Sequence, residues 1–198
     1  MIKLKDYKRI KGGIDQKLRL LERKEEDHKK SFMILLLYPA HPPEEKKRIL
    51  NLRKRLRNER NWPNTHLMEE FFTQFPYDDT FRLLLTDKHS EPDMIAAVFT
   101  EKGSKDGESW ELGFLWSFAK EHARATGEKD FYEKFMVRTV AFVEKEVNEK
   151  GLCTKMLASG TFKKIIVHSF ENDDELLDLV DSTAKRLLDY KFDLLDLF

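Results

Sequence analysis

Apolar positions along the chain fall into short continuous runs that alternate with segments of helical spacing. Five runs are typical of strands buried on both faces, because each is short and bounded by proline, turn residues or charge. They lie at residues 32–38, 65–69, 93–99, 137–146 and 164–170. Spacings of three and four between apolar residues predict helices at about 43–60, 77–88, 109–124 and 171–190.

Alternating strands and helices of this length predict an α/β fold. We expect a doubly wound, flavodoxin- or Rossmann-like sheet of about five mainly parallel strands with helices on both faces. Ligands of such sheets bind at the carboxyl ends of the strands, near the switch point in strand order. Tyr38, the loop at 100–109 and Ser169 should therefore share one edge, with His41 in the proline-rich loop beside them.

The N-terminal segment is predicted to be a separate basic helix. An apolar stripe at spacings of four, four and three is formed by Ile10, Ile14, Leu18 and Leu21. We therefore divide the chain into an amphipathic helix at 1–30 and an α/β domain at 31–198. The stripe can dock on the domain, pair with a second copy in a homodimer, or contact an acidic partner. A basic amphipathic helix is not specific evidence of nucleic-acid binding, so docking or dimerisation is preferred.

Composition narrows the classes of partner and the compartment. Lys plus Arg and Asp plus Glu both total 36, so no net charge draws the chain to nucleic acid or an anionic membrane. Abundant charge of both signs with only two glutamines favours a heat-adapted source. The single cysteine, Cys153, excludes an internal disulfide and favours a reducing compartment. With no apolar signal region and no long apolar run, we expect a soluble, cytoplasmic protein without a membrane span.

Several common catalytic and cofactor motifs are missing from the sequence. There is no G-x-G-x-x-G or P-loop, and the eight glycines are mostly isolated, which argues against a phosphate cradle. The sequence also has no H-E-x-x-H and no Cys/His cluster at zinc spacing. We therefore predict neither a cofactor nor a metal.

The segment from Asp93 to Phe114 carries the candidate chemistry. An apolar strand leads into a polar loop with Asp106-Gly107 and Ser109, and Glu111-Leu112-Gly113 follows in the predicted first helical turn. A carboxylate there would lie beside free backbone N–H groups and point towards the ligand edge. Gly113 would let the helix approach the sheet closely. Alternatively, Glu111 only complements the dipole of a helix start.

This segment resembles the nucleoside 2-deoxyribosyltransferase family and its deoxynucleotide N-hydrolase relatives. Their pattern is an Asp opening an apolar strand, an acidic and glycine-containing loop, and a Glu-Leu-Gly or Glu-Ile-Gly triplet starting a helix. The resemblance implies that Glu111 is the nucleophile at the anomeric carbon and that Asp93 and Asp106 contact base or sugar. It also implies that Tyr38 orients the nucleophile and that Gly107 and Ser109 line the ligand site. The order of elements also resembles that of TIR-type domains, although more weakly. The pattern from Asp93 to Gly113 is also similar to that of an uncharacterised archaeal family.

Three functional hypotheses follow from the sequence. The first is an enzyme that cleaves the N-glycosidic bond of a nucleoside or nucleotide. The second is a non-catalytic nucleotide-sensing module, which bulky Trp110 before the triplet would favour. The third is a nucleic-acid-associated protein that uses the Lys and Arg residues of the helix at 43–60. The balanced net charge disfavours the third hypothesis, since a charge-rich helix is usually a solvated face.

Overall fold

The fold is a parallel five-stranded sheet between two helical layers. A computed structural model describes residues 23–39, 41–72, 82, 84–86, 91–103, 107–145, 147 and 165–192. The strands are β1 (Ile34–Leu37), β2 (Thr65–Leu67), β3 (Met94–Phe99), β4 (Thr139–Glu144) and β5 (Ile166–Phe170). Their order is β2-β1-β3-β4-β5, and every neighbouring pair is parallel. All five predicted strands are confirmed, and so is the doubly wound fold class.

Helices cover both faces of the sheet. Residues 23–31 form α1. The others are α2 (Pro43–Asn58), α3 (Glu69–Phe72), α4 (Gly107–Thr126), α5 (Lys129–Arg138) and α6 (Asp173–Phe192). Residues 84–86 are helical as well, inside the helix predicted at 77–88. Among the described residues, no helix is both long and apolar enough to cross a bilayer.

Two separate cores form because successive strand side chains point to opposite faces. Leu36 of β1 packs in the core beneath α2 and α6, whereas its neighbour Leu35 packs in the core beneath α4 and α5. Both side chains are fully buried. Continuous burial on two faces explains the unbroken apolar sequences of β1 and β3. The edge strand β5 departs from this expectation, since Ile166 and Val167 are exposed.

The segment before β4 was predicted incorrectly. The sequence placed a strand from residue 137, but α5 continues to Arg138 and the strand begins at Thr139. Phe135 and Met136 face the core from the last turns of α5, while Val137 is exposed. A continuous apolar run does not distinguish the end of a buried helix from the start of a buried strand.

The basic surface of α2 is largely neutralised by acidic side chains of α3 and α6. Lys46 pairs with Glu69, with 2.9 Å between Nζ and a carboxylate oxygen. Arg53 pairs with Glu70, and Arg55 with Asp174. These ion pairs hold helices together across the face of the sheet. They also leave fewer basic groups for phosphates, which counts against the nucleic-acid hypothesis.

Of the predicted N-terminal helix, only its last part is described, and the apolar stripe lies outside the described residues. Residues 23–31 are helical and pack on the domain. His28 stacks on Phe192 with ring centroids 3.9 Å apart, and the Lys29 ammonium lies 5.0 Å from the Trp62 ring centroid. This end of the helix therefore docks on the domain, and the homodimer stays a prediction.

Asp181 of α6 is expected to contribute to stability through a buried hydrogen bond. It accepts from the Trp62 indole nitrogen at 2.8 Å, and Trp62 is fully buried. Asp181→Ala would leave that N–H without an acceptor, so unfolding should cost about 1–3 kcal/mol less in urea denaturation. Asp178→Ala is the matched control, because this exposed residue of the same helix pairs with Arg60 at the surface. Equal losses in the two variants would contradict this role for Asp181.

Candidate functional site

The strand order places the switch point between β1 and β3. From β1 the chain proceeds to β2 on one side, and β3 lies on the other side. The carboxyl ends of β1 and β3 therefore border the crevice where doubly wound sheets bind ligands. The residues that follow these strands are Tyr38 and Thr100, and both are buried.

The loops after β1 and β3 pack against each other at Gly103. A Cβ atom at this position would lie 2.5 Å from Cγ of Pro39 and 2.7 Å from Oγ1 of Thr100. Neither distance is compatible with a side chain, so the close approach requires glycine. The Gly103 backbone N–H also donates to the Thr100 hydroxyl at 3.1 Å. This contact holds the two loops together at the carboxyl edge of the sheet.

Glu111 is a half-buried carboxyl group at this edge, on the second turn of α4. The helix begins at Gly107, two residues earlier than predicted, so Glu111 lies beyond the free N–H groups of the first turn. Burial, followed by the negative charge of Glu69, raises the pKa of Glu111 to about 7. A carboxylate that merely complemented the helix dipole would be stabilised in its charged form. Here the environment favours the protonated form instead.

Tyr38 belongs to the same cluster. Burial raises the pKa of its hydroxyl well above the usual range, and the carboxylates of Glu69 and then Glu111 add to the effect. Arg53 acts in the opposite direction. The hydroxyl oxygen is buried, and among the described residues no group completes a hydrogen bond to it with good geometry. Tyr38 is thus a neutral donor held next to two acidic groups.

Glu69 was not predicted as a site residue. It opens α3 just after β2, and its carboxylate influences both Tyr38 and Glu111. The sequence assigned residues 65–69 to a strand, which hid the fact that Glu69 follows the strand end at the ligand edge. The adjacent pair of glutamates after a short apolar run was the only available signal. Lys46 partly balances the charge of Glu69 from α2.

The other residues that the sequence predicted as ligand contacts do not all lie close to Glu111. His41 is exposed in the loop after β1, and Gly107, which was predicted to lie in the loop, is the first residue of α4. Ser109 lies in the first turn of α4, and Asp106 lies outside the described residues. Ser169 is at the carboxyl end of β5, on the predicted edge. However, β5 is three strand positions from β1, about 14 Å away, so Ser169 is not next to Glu111.

The structure does not bring Asp93 to this cluster. Asp93 immediately precedes β3, so it lies at the amino edge of the sheet, one strand length from Tyr38 and Glu111. Its carboxylate accepts from the Met33 backbone N–H at 2.9 Å and pairs with Lys191. These contacts join α6 to the start of β1. They explain why an acidic residue stands at this position, and the explanation requires no ligand.

Gly113 does not have the predicted packing role. A Cβ atom added there would meet nothing within 4 Å outside its own helix, so the residue is not needed for a close approach to the sheet. The contact that does require glycine is at Gly103, ten residues earlier. The triplet Glu111-Leu112-Gly113 therefore contributes Glu111 to the edge and Leu112, which is fully buried, to the core.

The carboxyl edge thus holds the carboxyl groups of Glu69 and Glu111 and the phenol of Tyr38, in surroundings partly shielded from water. One carboxyl group with a pKa of about 7 can serve as acid, base or nucleophile at neutral pH. Among the described residues, no group of three or more His, Cys, Asp or Glu side chains is arranged to hold a metal ion. The carboxyl and phenol groups of this edge can take part in proton transfer, and Glu111 can also act as a nucleophile.

Comparison with protein-family models found no matching family, and comparison with curated proteins found no matching relative.

Proposed function

We propose that this chain is a hydrolase or transferase that acts on the N-glycosidic bond of a nucleoside or nucleotide, with Glu111 as nucleophile. The observation that carries the proposal is the half-buried Glu111 carboxyl group, coupled to Tyr38 and Glu69 at the switch point. The motif resemblance identifies Glu111 and Tyr38 as site residues from the sequence alone, without reference to their arrangement in the fold. Their proximity in the fold supports the proposal because the two residues are 73 positions apart in sequence.

The chemistry follows from the needs of glycosidic-bond cleavage. The ionised Glu111 carboxylate attacks the anomeric carbon, and the carbon–nitrogen bond breaks with its electron pair leaving on the base. The departing base must also be protonated or hydrogen-bonded, and by resemblance the candidate for that contact is Asp106, which lies outside the described residues. Water then cleaves the glycosyl ester in a hydrolase, or a second base attacks it in a transferase. The Tyr38 hydroxyl, a neutral donor beside Glu69 and Glu111, orients the Glu111 carboxylate when a ligand is bound.

A pKa near 7 is also suitable for a general acid, so the two roles of Glu111 need a separate test. If Glu111 is the nucleophile, the rate should rise with pH through about 7, because only the carboxylate attacks. If Glu111 protonates the leaving base, the rate should fall over the same range. The direction of the pH–rate profile therefore assigns the role.

The decisive first experiment is a chromatographic screen for free base. The protein is incubated with nucleosides, deoxynucleotides and NAD, and the released base is quantified with and without an acceptor base. Release from one class would establish the reaction and name its substrate. Ligand binding without any release, in folded protein, would favour the nucleotide-sensing module instead.

Glu69→Gln is expected to lower the pKa of Glu111. The negative charge of Glu69 is one of the two causes of the raised pKa, and burial is the other. The pKa should therefore fall below 7 but stay above its ordinary value of 4.5. Side-chain NMR titration measures this shift directly. Glu70→Gln is the control, because the neighbouring Glu70 pairs with Arg53 and is not among the described causes of the raised pKa of Glu111. An unchanged pKa in Glu69→Gln would refute the influence of Glu69.

A further inference from the structure

Glu69 is an anchored but accessible carboxylate at the carboxyl edge of the sheet. It follows the end of β2, the strand next to β1, whose own end carries Tyr38. Its side chain is 42% exposed, and Lys46 contacts one of its carboxylate oxygens, Oε2, at 2.9 Å. The ion pair therefore holds the carboxylate in place without closing it off from a ligand.

Tyr38 joins Glu69 and Glu111 in one cluster. Burial raises the pKa of the Tyr38 hydroxyl well above its usual range, and hydrogen bonding to Glu69 and the charges of Glu69 and Glu111 add to the effect. Tyr38 is only 7% exposed, and among the described residues none completes a hydrogen bond to its hydroxyl oxygen. A buried hydroxyl group in this state calls for a polar partner, which a ligand at this edge can supply.

The direction of attack determines which part of a nucleoside lies beside Glu69. This step rests on the proposed function, in which Glu111 attacks the anomeric carbon from the side opposite the base. In natural ribonucleosides the 2′- and 3′-hydroxyl groups also lie on the side opposite the base. The 2′-hydroxyl group is the nearer one, because its carbon is bonded to the anomeric carbon. A carboxylate next to Glu111 therefore meets the 2′-hydroxyl group first.

We propose that Glu69 accepts a hydrogen bond from the 2′-hydroxyl group of the substrate, so that the site selects ribosides over 2′-deoxyribosides. An ionised carboxylate is only an acceptor, which suits a hydroxyl group and not a methylene group. An acidic residue likewise binds the ribose 2′-hydroxyl group in doubly wound dinucleotide-binding sheets. The selected sugar differs from the deoxyribose that the motif resemblance implies, so the contact distinguishes this chain from that family.

Sets of nucleosides that differ only at the 2′ position test the proposal. The ribonucleosides of adenine, guanine, cytosine and uracil are compared with their 2′-deoxy counterparts and with their arabinosides, in which the 2′-hydroxyl group lies on the side of the base. Chromatography measures kcat/KM for base release, and calorimetry measures binding to the Glu111→Gln variant. We expect ribonucleosides to be favoured at least about tenfold in kcat/KM, and arabinosides to behave like 2′-deoxynucleosides.

Glu69→Met keeps the length of the side chain but removes the acceptor. Its ratio of kcat/KM between ribonucleoside and 2′-deoxynucleoside should fall to within about twofold of one. A changed pKa of Glu111 alters both rates alike at a given pH, so it cancels in this ratio. Lys46→Met is the matched control, because it breaks the same ion pair and keeps the carboxylate; it should retain most of the preference.

The outcomes separate this contact from the proposed reaction. Equal or faster release from 2′-deoxynucleosides would overturn the contact of Glu69 and leave the glycosidic-bond reaction standing. An unchanged ratio in Glu69→Met, or an equal loss of preference in Lys46→Met, would overturn it as well. Tighter binding of ribonucleosides that depends on Glu69, without release of base, would support the contact and reject the reaction. Neither binding nor release, in folded protein, would overturn both.

Discussion

Glu111→Gln is expected to reduce release of free base by about a thousandfold or more, because the amide cannot form the glycosyl ester. Gln has nearly the same shape as Glu, so the packing of α4 on the sheet should persist. The rate is measured by chromatography on the best substrate from the screen. Circular dichroism and ligand binding in the variant should match the unsubstituted protein, because loss of the nucleophile removes the reaction and not the pocket.

The matched control is Glu121→Gln, which makes the same chemical change on the exposed surface of α4. Its rate should stay within a factor of about two, since surface changes away from a site have small effects. If Glu111→Gln retained most of the activity, Glu111 would not be the nucleophile. Loss of activity in both variants would instead indicate that α4 tolerates no change.

The same substitution is expected to stabilise the protein at neutral and alkaline pH. Glu111 has a folded-state pKa of about 7 against an ordinary value of 4.5, so the native state holds the proton more tightly than the unfolded chain. Stability must then fall as pH rises from 4.5 to 7, and the full penalty persists above that range. Because the carboxyl group is half-buried, we expect Glu111→Gln to be more stable by about 2 kcal/mol at pH 8.

This gain should vanish below pH 4.5, where Glu111 is protonated in both states and carries no charge. Urea denaturation of the two proteins at pH 4 and pH 8 measures the difference. Glu121→Gln should show no comparable gain at pH 8. A constant difference between the variants at both pH values would mean that packing, rather than ionisation, controls the stability of this position. Higher stability with lost activity would be typical of a functional carboxyl group held in an unfavourable environment.

The sequence was informative where the physical signal is local. The strand at 32–38 was evident from its continuous apolar run and its proline stop, and β1 forms within it at Ile34–Leu37. Likewise, α2 begins at Pro43, where the missing N–H has no cost at the start of a helix. The pattern of apolar residues along the chain thus predicted the element types, and the alternation of strands and helices predicted the parallel sheet.

Local signals failed where two structures compete for the same apolar residues. Val137 and Arg138 were assigned to the strand, but they form the end of α5, whose Phe135 and Met136 are buried against the sheet. The start of α4 was also placed too late, because Gly107 and Glu108 look like loop residues. Because the predicted helix began two residues too late, the sequence placed Glu111 in its first turn, whereas the structure has Glu111 in the second turn.

The candidate site was only partly determined by the sequence. The motif placed Asp93 and Glu111 in one functional group, yet β3 runs between them and separates their side chains by the length of a strand. In contrast, Glu69 and Tyr38 are distant in sequence from Glu111, and only the strand order β2-β1-β3 brings them to its side.

The sequence by itself therefore determined the fold class and the strands, and it predicted Glu111 as the principal carboxylate, because apolar periodicity and motif chemistry are properties of short segments. Tertiary structure decided which charges surround Glu111 and hence its pKa, because burial and charge proximity arise only when distant segments pack together. It also decided that Asp93 supports the fold at the opposite edge, since the direction of a strand fixes which of its ends faces the ligand crevice.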